Sequence, residues 1–274
     1  MVRTYPEGVT CWVDTRQADV DAALEFYGGL FGWSFTDAMP PDAPGRYVIA
    51  TLDGQDVAAI AGPDDGDAAP TWSTYVAVDD CDAATERLAG LGAVVVEPPA
   101  DAGPGGRTST VRDPEGAELR LWQARARLGA QLVNAPGAWS SSDLASADVA
   151  AATAFYTAAF GWRIVDQGRS TSIQVPGHGD HLDATVDPDI RTRRASAPDG
   201  FEDVIGAIVD LSDDDVPHWR VTFTVADRDA SAATVERLGG TVLSTYEDEW
   251  VRAVVVRDPA GAVLTLGQLA PADR

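Results

Sequence analysis

Apolar side chains at Val20, Leu24, Tyr27 and Phe31 fall at i, i+4, i+7 and i+11, the period of one helical face. Val149, Ala152, Tyr156 and Phe160 repeat that face. Asp19 and Asp148 stand where an N-cap belongs, and Gly32 and Gly161 stand where a left-handed C-cap residue ends a helix. Between these segments the period drops to two. Tyr47–Leu52 and Val57–Ala61 read as strands across an Asp53-Gly54 turn, and Val94–Glu97, Thr108–Arg112 and Glu118–Trp122 read as three more. Asp113-Pro114-Glu115-Gly116 is turn chemistry between two of them. Strand alternation puts Thr10, Trp12 and Asp14 on one face, as it does Trp139, Ser141 and Asp143, and Glu118, Arg120 and Trp122.

These elements come in copies. FYGGLFGW at Phe26–Trp33 returns as FYTAAFGW at Phe155–Trp162, 129 positions on. DCDAATERLAGLG from Asp80 returns from Asp227, and RDPEGAELRL from Arg112 returns as RDPAGAVLTL from Arg257. The later offsets, 147 and 145, are larger, so the second copy carries an insertion between Trp162 and Asp227. Two homologous halves are expected, 1–124 and 135–274, joined by a linker over 125–134, with a lid-like insertion over 177–200. Within each half the strand–helix–strand–strand pattern occurs twice.

Composition narrows the function. The net charge of −23 comes from 43 acids against 20 bases, all of them arginine. Such a surface repels phosphate backbones and anionic membranes, so neither nucleic acid nor membrane is an expected partner. Without lysine there is no Schiff-base or phosphate-loop lysine chemistry. Cys11 and Cys81 form neither a disulfide framework nor a metal knuckle. No run reaches the ~18 apolar residues of a membrane span, and the opening MVRTYPEGVTCW has no signal-peptide pattern. A cytoplasmic protein, monomer or homodimer, is expected.

The VDTRQADVDAALEFYGGLFGW opening, the VDDCDAATERLAGLG helix and the RDPEGAELRLWQ hairpin resemble the vicinal oxygen chelate superfamily, which includes glyoxalase I, extradiol dioxygenases and bleomycin-resistance proteins. The resemblance implies an α+β fold: tandem glyoxalase-like domains, each of two βαβββ modules forming a cupped mixed sheet around a cleft. In metal-using members, His, Glu or Gln from the first strand of each module and the last strand of the half hold a divalent cation. Carried onto this chain, those positions are Trp12, Ser73 and Arg120 in the first half and Ser141, Arg220 and Thr265 in the second. None is a good metal ligand, and a guanidinium repels a cation. Arg120 and Arg220 read either as forks for an anionic group or as partners of acids such as Asp14 and Asp143.

With Trp122 and Trp139, these residues make a surface suited to a flat, partly polar organic molecule. Asp14 and Asp143 are the candidate general bases. His178, His181 and Asp183 form an H-x-x-H-x-D string whose glycine-rich context reads as a loop. It is an alternative metal site at most, and His181 reads more simply as a pocket-rim residue. Ile190–Ala197 reads as a short helix carrying Arg191, Arg193 and Arg194, either a clamp for an anion or a surface helix answering nearby carboxylates. The leading reading is metal-independent, cofactor-free binding of an aromatic or hydrophobic small metabolite, for sequestration or conversion, in secondary metabolism or resistance. The alternative is a glyoxalase-like lyase or isomerase, or a dioxygenase, using a divalent metal such as Zn, Ni or Fe.

Overall fold

The computed structural model describes residues 2–40, 42–43, 45–62, 69–166, 168, 171–193, 197, 199–211, 215–248 and 250–269. The first half contains β1 (Thr10–Arg16), α1 (Val20–Phe31), β2 (Ser34–Asp37), β3 (Tyr47–Leu52), β4 (Gln55–Ala61), β5 (Thr71–Ala77), α2 (Cys81–Gly90), β6 (Val94–Ala102), β7 (Gly106–Arg112) and β8 (Glu118–Ala124). The second contains β9 (Trp139–Ser146), α3 (Val149–Phe160), β10 (Arg163–Asp166), β11 (Thr171–Gln174), α4 (His178–Ala184), α5 (Ile190–Arg193), a 3-10 turn (Phe201–Asp203), β12 (Val204–Asp210), β13 (His218–Thr224), α6 (Arg228–Arg237), β14 (Thr241–Glu247), β15 (Val251–Arg257) and β16 (Val263–Leu269). The strands form two mixed eight-stranded sheets, ordered β2-β3-β4-β1-β5-β8-β7-β6 and β10-β11-β12-β9-β13-β16-β15-β14. No helix among the described residues is long and apolar enough to cross a membrane.

The predicted caps form. Asp19 accepts from Ala22 N at 3.0 Å and Asp148 from Ala151 N at 2.9 Å, each answering an otherwise orphaned helix donor. Gly32 and Gly161 close α1 and α3 at φ 73° and 70°, a conformation that costs glycine little.

Spatial proximity groups the residues into two compact units. One comprises Met1–Cys11, Thr74–Gly129 and Ser142–Trp219; the other comprises Trp12–Ser73, Ala130–Ser141 and Arg220–Arg274. Each unit therefore unites a module of the first half with a module of the second.

The repeated motifs explain that pairing. In one unit Tyr156 of the FYTAAFGW helix donates to Asp113 Oδ2 at 2.8 Å, and Asp113 belongs to the first half's RDPEG turn. In the other unit Tyr27 of FYGGLFGW donates to Asp258 Oδ2 at 2.8 Å, and Asp258 belongs to the second half's RDPAG turn. Gln17 shares that oxygen at 2.8 Å, while Asp258 Oδ1 accepts three backbone N–H groups of its own turn. Burial lifts both tyrosine hydroxyls well above their ordinary pKa, so they stay protonated donors. Around each bond lies a ring cluster: Tyr156, Phe160, Trp162 and Trp219 in one unit, and Tyr27, Phe31, Trp33, Trp72 and Phe223 in the other.

Candidate functional site

The first-strand positions of the first half carry a hydrogen-bonded chain. Trp12 Nε1 donates to the Tyr47 hydroxyl at 2.9 Å, and Tyr47 donates to Asp14 Oδ2 at 3.1 Å. Asp14 is buried, only 2% exposed, so its carboxylate is stabilised by the phenol rather than by solvent. Tyr47 opens β3 and was not among the residues singled out by sequence. Ser73, on β5, is buried.

Two residues beyond Ser73 on β5, Tyr75 starts a row of side chains read across four strands: Tyr75 pairs with Arg120, Arg120 with Thr110, and Thr110 with Glu97. The Arg120 guanidinium lies 5.6 Å from the Tyr75 ring centroid, and its Nη1 donates to the Tyr75 hydroxyl at 3.2 Å. Thr110 donates to Glu97 at 2.6 Å, a second pair in the same row. Trp122 sits edge-on to Tyr75 at 6.2 Å and donates to Arg127 O at 2.9 Å. A Cβ on Gly106 would come within 2.7 Å of that indole, which fixes glycine there. Beside it, the Thr108 hydroxyl is buried with no hydrogen-bond partner among the described residues. Tyr75 shares the strand face of Ser73, so alternation alone would have flagged it.

The second half departs from this. Trp139 Nε1 donates to Ser141 O at 2.9 Å, a local bond that turns the indole onto its own strand. Asp143 accepts Ala207 N at 2.9 Å; it secures a neighbouring strand's backbone where Asp14 meets a phenol. Thr265 is buried and Arg220 half-buried; Thr222 and Thr265 are register partners of β13 and β16. Arg220 makes no hydrogen bond or ion pair among the described residues, so its reading as the partner of an acid does not hold.

The GHGDHLD segment corrects an expectation. It is the helix α4, not a loop. Gly179 answers packing, since a Cβ there would fall 2.2 Å from Glu202 Cγ, and its N donates to Asp203 Oδ1 at 2.8 Å, while Gly177 takes the left-handed conformation (φ 85°) at the helix start. His178 is buried, its Nδ1 has no hydrogen-bond partner among the described residues, and burial, aided by His181 and Arg3, pushes its pKa down to about 4. His181 Nε2 lies 3.1 Å from Thr4 O, and Asp183 lies 3.5 Å from Arg191 Nη1. The three residues do not gather: among the described residues no group of three or more His, Cys, Asp or Glu side chains is placed to hold a metal ion. Arg191, on α5, is held by Asp180, Asp183 and Glu202, the carboxylate-answering role of the two expected. Residues 194–196, with Arg194, lie outside the described residues.

The family model of the glyoxalase/bleomycin resistance protein/dioxygenase superfamily matches residues 12–121, and that of the glyoxalase-like domain matches residues 141–266. The chain belongs to this superfamily. It is 35% identical over 274 residues to a Mycobacterium tuberculosis protein named "Putative glyoxylase CFP32", covering 97% of each chain. It is 32% identical over 285 residues to the anthracycline biosynthesis protein DnrV of Streptomyces peucetius, covering 98% of this chain and 96% of that one. The Mn(II)-bound glyoxalase of Novosphingobium aromaticivorans shares the fold at TM-score 0.60 and 14% identity, over 98% of this chain and 85% of that one. The positions at which the resemblance expects cation ligands (Trp12, Ser73, Arg120, Ser141, Arg220, Thr265) carry indole, hydroxyl and guanidinium groups, a donor set that does not fit a divalent ion.

Proposed function

We propose that this protein binds an aromatic or otherwise hydrophobic small metabolite without a metal ion, to sequester it or to convert it without a cofactor. One observation carries the reading: the six positions where the family resemblance looks for His or carboxylate ligands hold none, and Arg120 lies instead against Tyr75 beside Trp122. Guanidinium and aromatic faces suit a flat molecule bearing oxygen substituents. A relative named for anthracycline biosynthesis supports a place in secondary metabolism.

The competing reading, a metal-dependent lyase, isomerase or dioxygenase, draws on the shared fold with the Mn(II)-bound glyoxalase. Elemental analysis of protein purified without chelator separates the two. Less than about 0.1 equivalent of Zn, Ni, Fe, Mn or Co per chain is expected, together with saturable quenching of tryptophan fluorescence by members of an aromatic metabolite library. Near-stoichiometric metal that resists dialysis would overturn the proposal.

A further inference from the structure

The two halves present the same four-strand face with different contents. In the first half the row Glu97–Thr110–Arg120–Tyr75 is linked pairwise from within, Thr110 donating to Glu97 and Arg120 Nη1 to the Tyr75 hydroxyl. The corresponding row of the second half is Ser244–Val255–Thr265–Thr222. Three of the four are smaller than their counterparts, the charges of Glu97 and Arg120 have no equivalent, and Val255 stands for Thr110 without its hydroxyl.

The next row continues the pattern. Trp122 is replaced by Gly267, and the glycine that makes room for the indole, Gly106, is replaced by Val251. A Cβ on Gly267 would meet Val251 and Thr222 at 3.4 Å, so these three positions do adjoin on one face. Valine restores only a fraction of an indole's volume, and nothing in the rows replaces the Arg120 guanidinium or the Tyr75 ring. Tyr246, the register partner of Ala253 on the same face, is 49% exposed.

Charge points the same way. Arg220 shares the face of Thr222, two residues along β13, because the alternate residues Trp219, Val221 and Phe223 are buried. The row beside it contains no carboxylate, and Arg220 has no hydrogen bond or ion pair among the described residues. A half-buried guanidinium left this way in a chain of net charge −23 provides the local cation that an anionic ligand needs to enter.

We infer that the ligand is a planar aromatic anion seated on the β13–β16 face of the second half. Arg220 holds its carboxylate or phenolate oxygen, the half-buried Thr222 hydroxyl lies alongside, and the ring lies over Val251 and Thr222, the side chains that cover the buried Gly267. This rests on the aromatic-ligand reading above and assigns it a half and a charge. The first half's equivalent face is occupied by its own side chains.

The test uses calorimetric titration of the full chain with anthraquinone-2-carboxylate and its neutral carboxamide. The double variant Gly267→Trp/Val251→Gly rebuilds the large–small pair that the first half already accommodates. It is expected to weaken carboxylate binding more than about tenfold with a native circular dichroism spectrum. Arg220→Gln, which needs no repacking, is expected to weaken the carboxylate about tenfold while leaving the carboxamide within about twofold. Wild-type binding that both variants retain would overturn the inference and leave the aromatic-ligand reading intact. Equal weakening of both probes by Arg220→Gln would overturn the anionic assignment. No binding of either probe to the wild-type chain overturns the inference too, and a blank tryptophan-quenching screen beside it would remove the underlying reading as well.

Discussion

Two aspartates at equivalent positions behave differently because of what reaches them. Asp14 is met by the Tyr47 phenol, whereas Asp143 is met by the Ala207 backbone N–H. Asp14 thus accepts from a side chain of β3, and Asp143 from the backbone of β12. His178 gives this scale a pH signature. Its folded pKa is about 4 against about 6.5 when unfolded. Between those values the unfolded chain binds a proton that the folded chain does not, so stability rises with pH across this window and is lost as pH falls from about 6.5 toward about 4. The loss at the acid end is about 3 kcal/mol at most, at about 1.4 per unit. His178→Leu should lose less stability than wild type over pH 6.5 to 4.5 in urea titrations, and parallel curves would refute the assignment.

At the scale of elements, α4 shows a glycine acting for packing. Gly179→Ala puts a methyl against Glu202 and is expected to cost about 1–3 kcal/mol by denaturant unfolding, with faster amide exchange confined to α4 and the 3-10 turn. An unchanged midpoint would mean that Glu202 simply swings aside. This is also where the sequence was least legible. Helical faces, Asp caps and αL glycines depend on residues within one turn of each other, so α1 and α3 could be read directly. The glycines of GHGDHLD gave the opposite signal, because at Gly179 the atoms that exclude a side chain belong to Glu202, far along the chain, and Gly177 only starts the helix in a left-handed conformation. Tyr75 was within reach of strand alternation from Ser73. Tyr47 was not, since its role depends on β3 lying in the same sheet as β1.

At the scale of the molecule, the duplicated motifs are legible as copies but their partnership is not. Tyr27 and Asp258 are 231 positions apart, and nothing local says that the tyrosine of one copy meets the aspartate of the other. Tyr156→Phe leaves Asp113 Oδ2 without its phenol, and Tyr27→Phe leaves Asp258 Oδ2 with Gln17 alone among the side-chain donors described above. Each is expected to cost about 1–3 kcal/mol, with the larger effect at Tyr156. A double-mutant cycle of Tyr156→Phe with Asp113→Asn should show a coupling above about 0.5 kcal/mol, and strict additivity would remove the bond from the stability account. The crossed bonds also bear on how the gene's two copies can diverge. In a half-length ancestor the same contacts would join separate chains and so weaken on dilution; on one polypeptide the partner's effective concentration is set by the connecting chain, not by expression level. Each copy is then held by its sibling whatever the abundance of the protein. One face is free to fill with Trp122 while the other thins to Gly267, without either copy having to assemble alone.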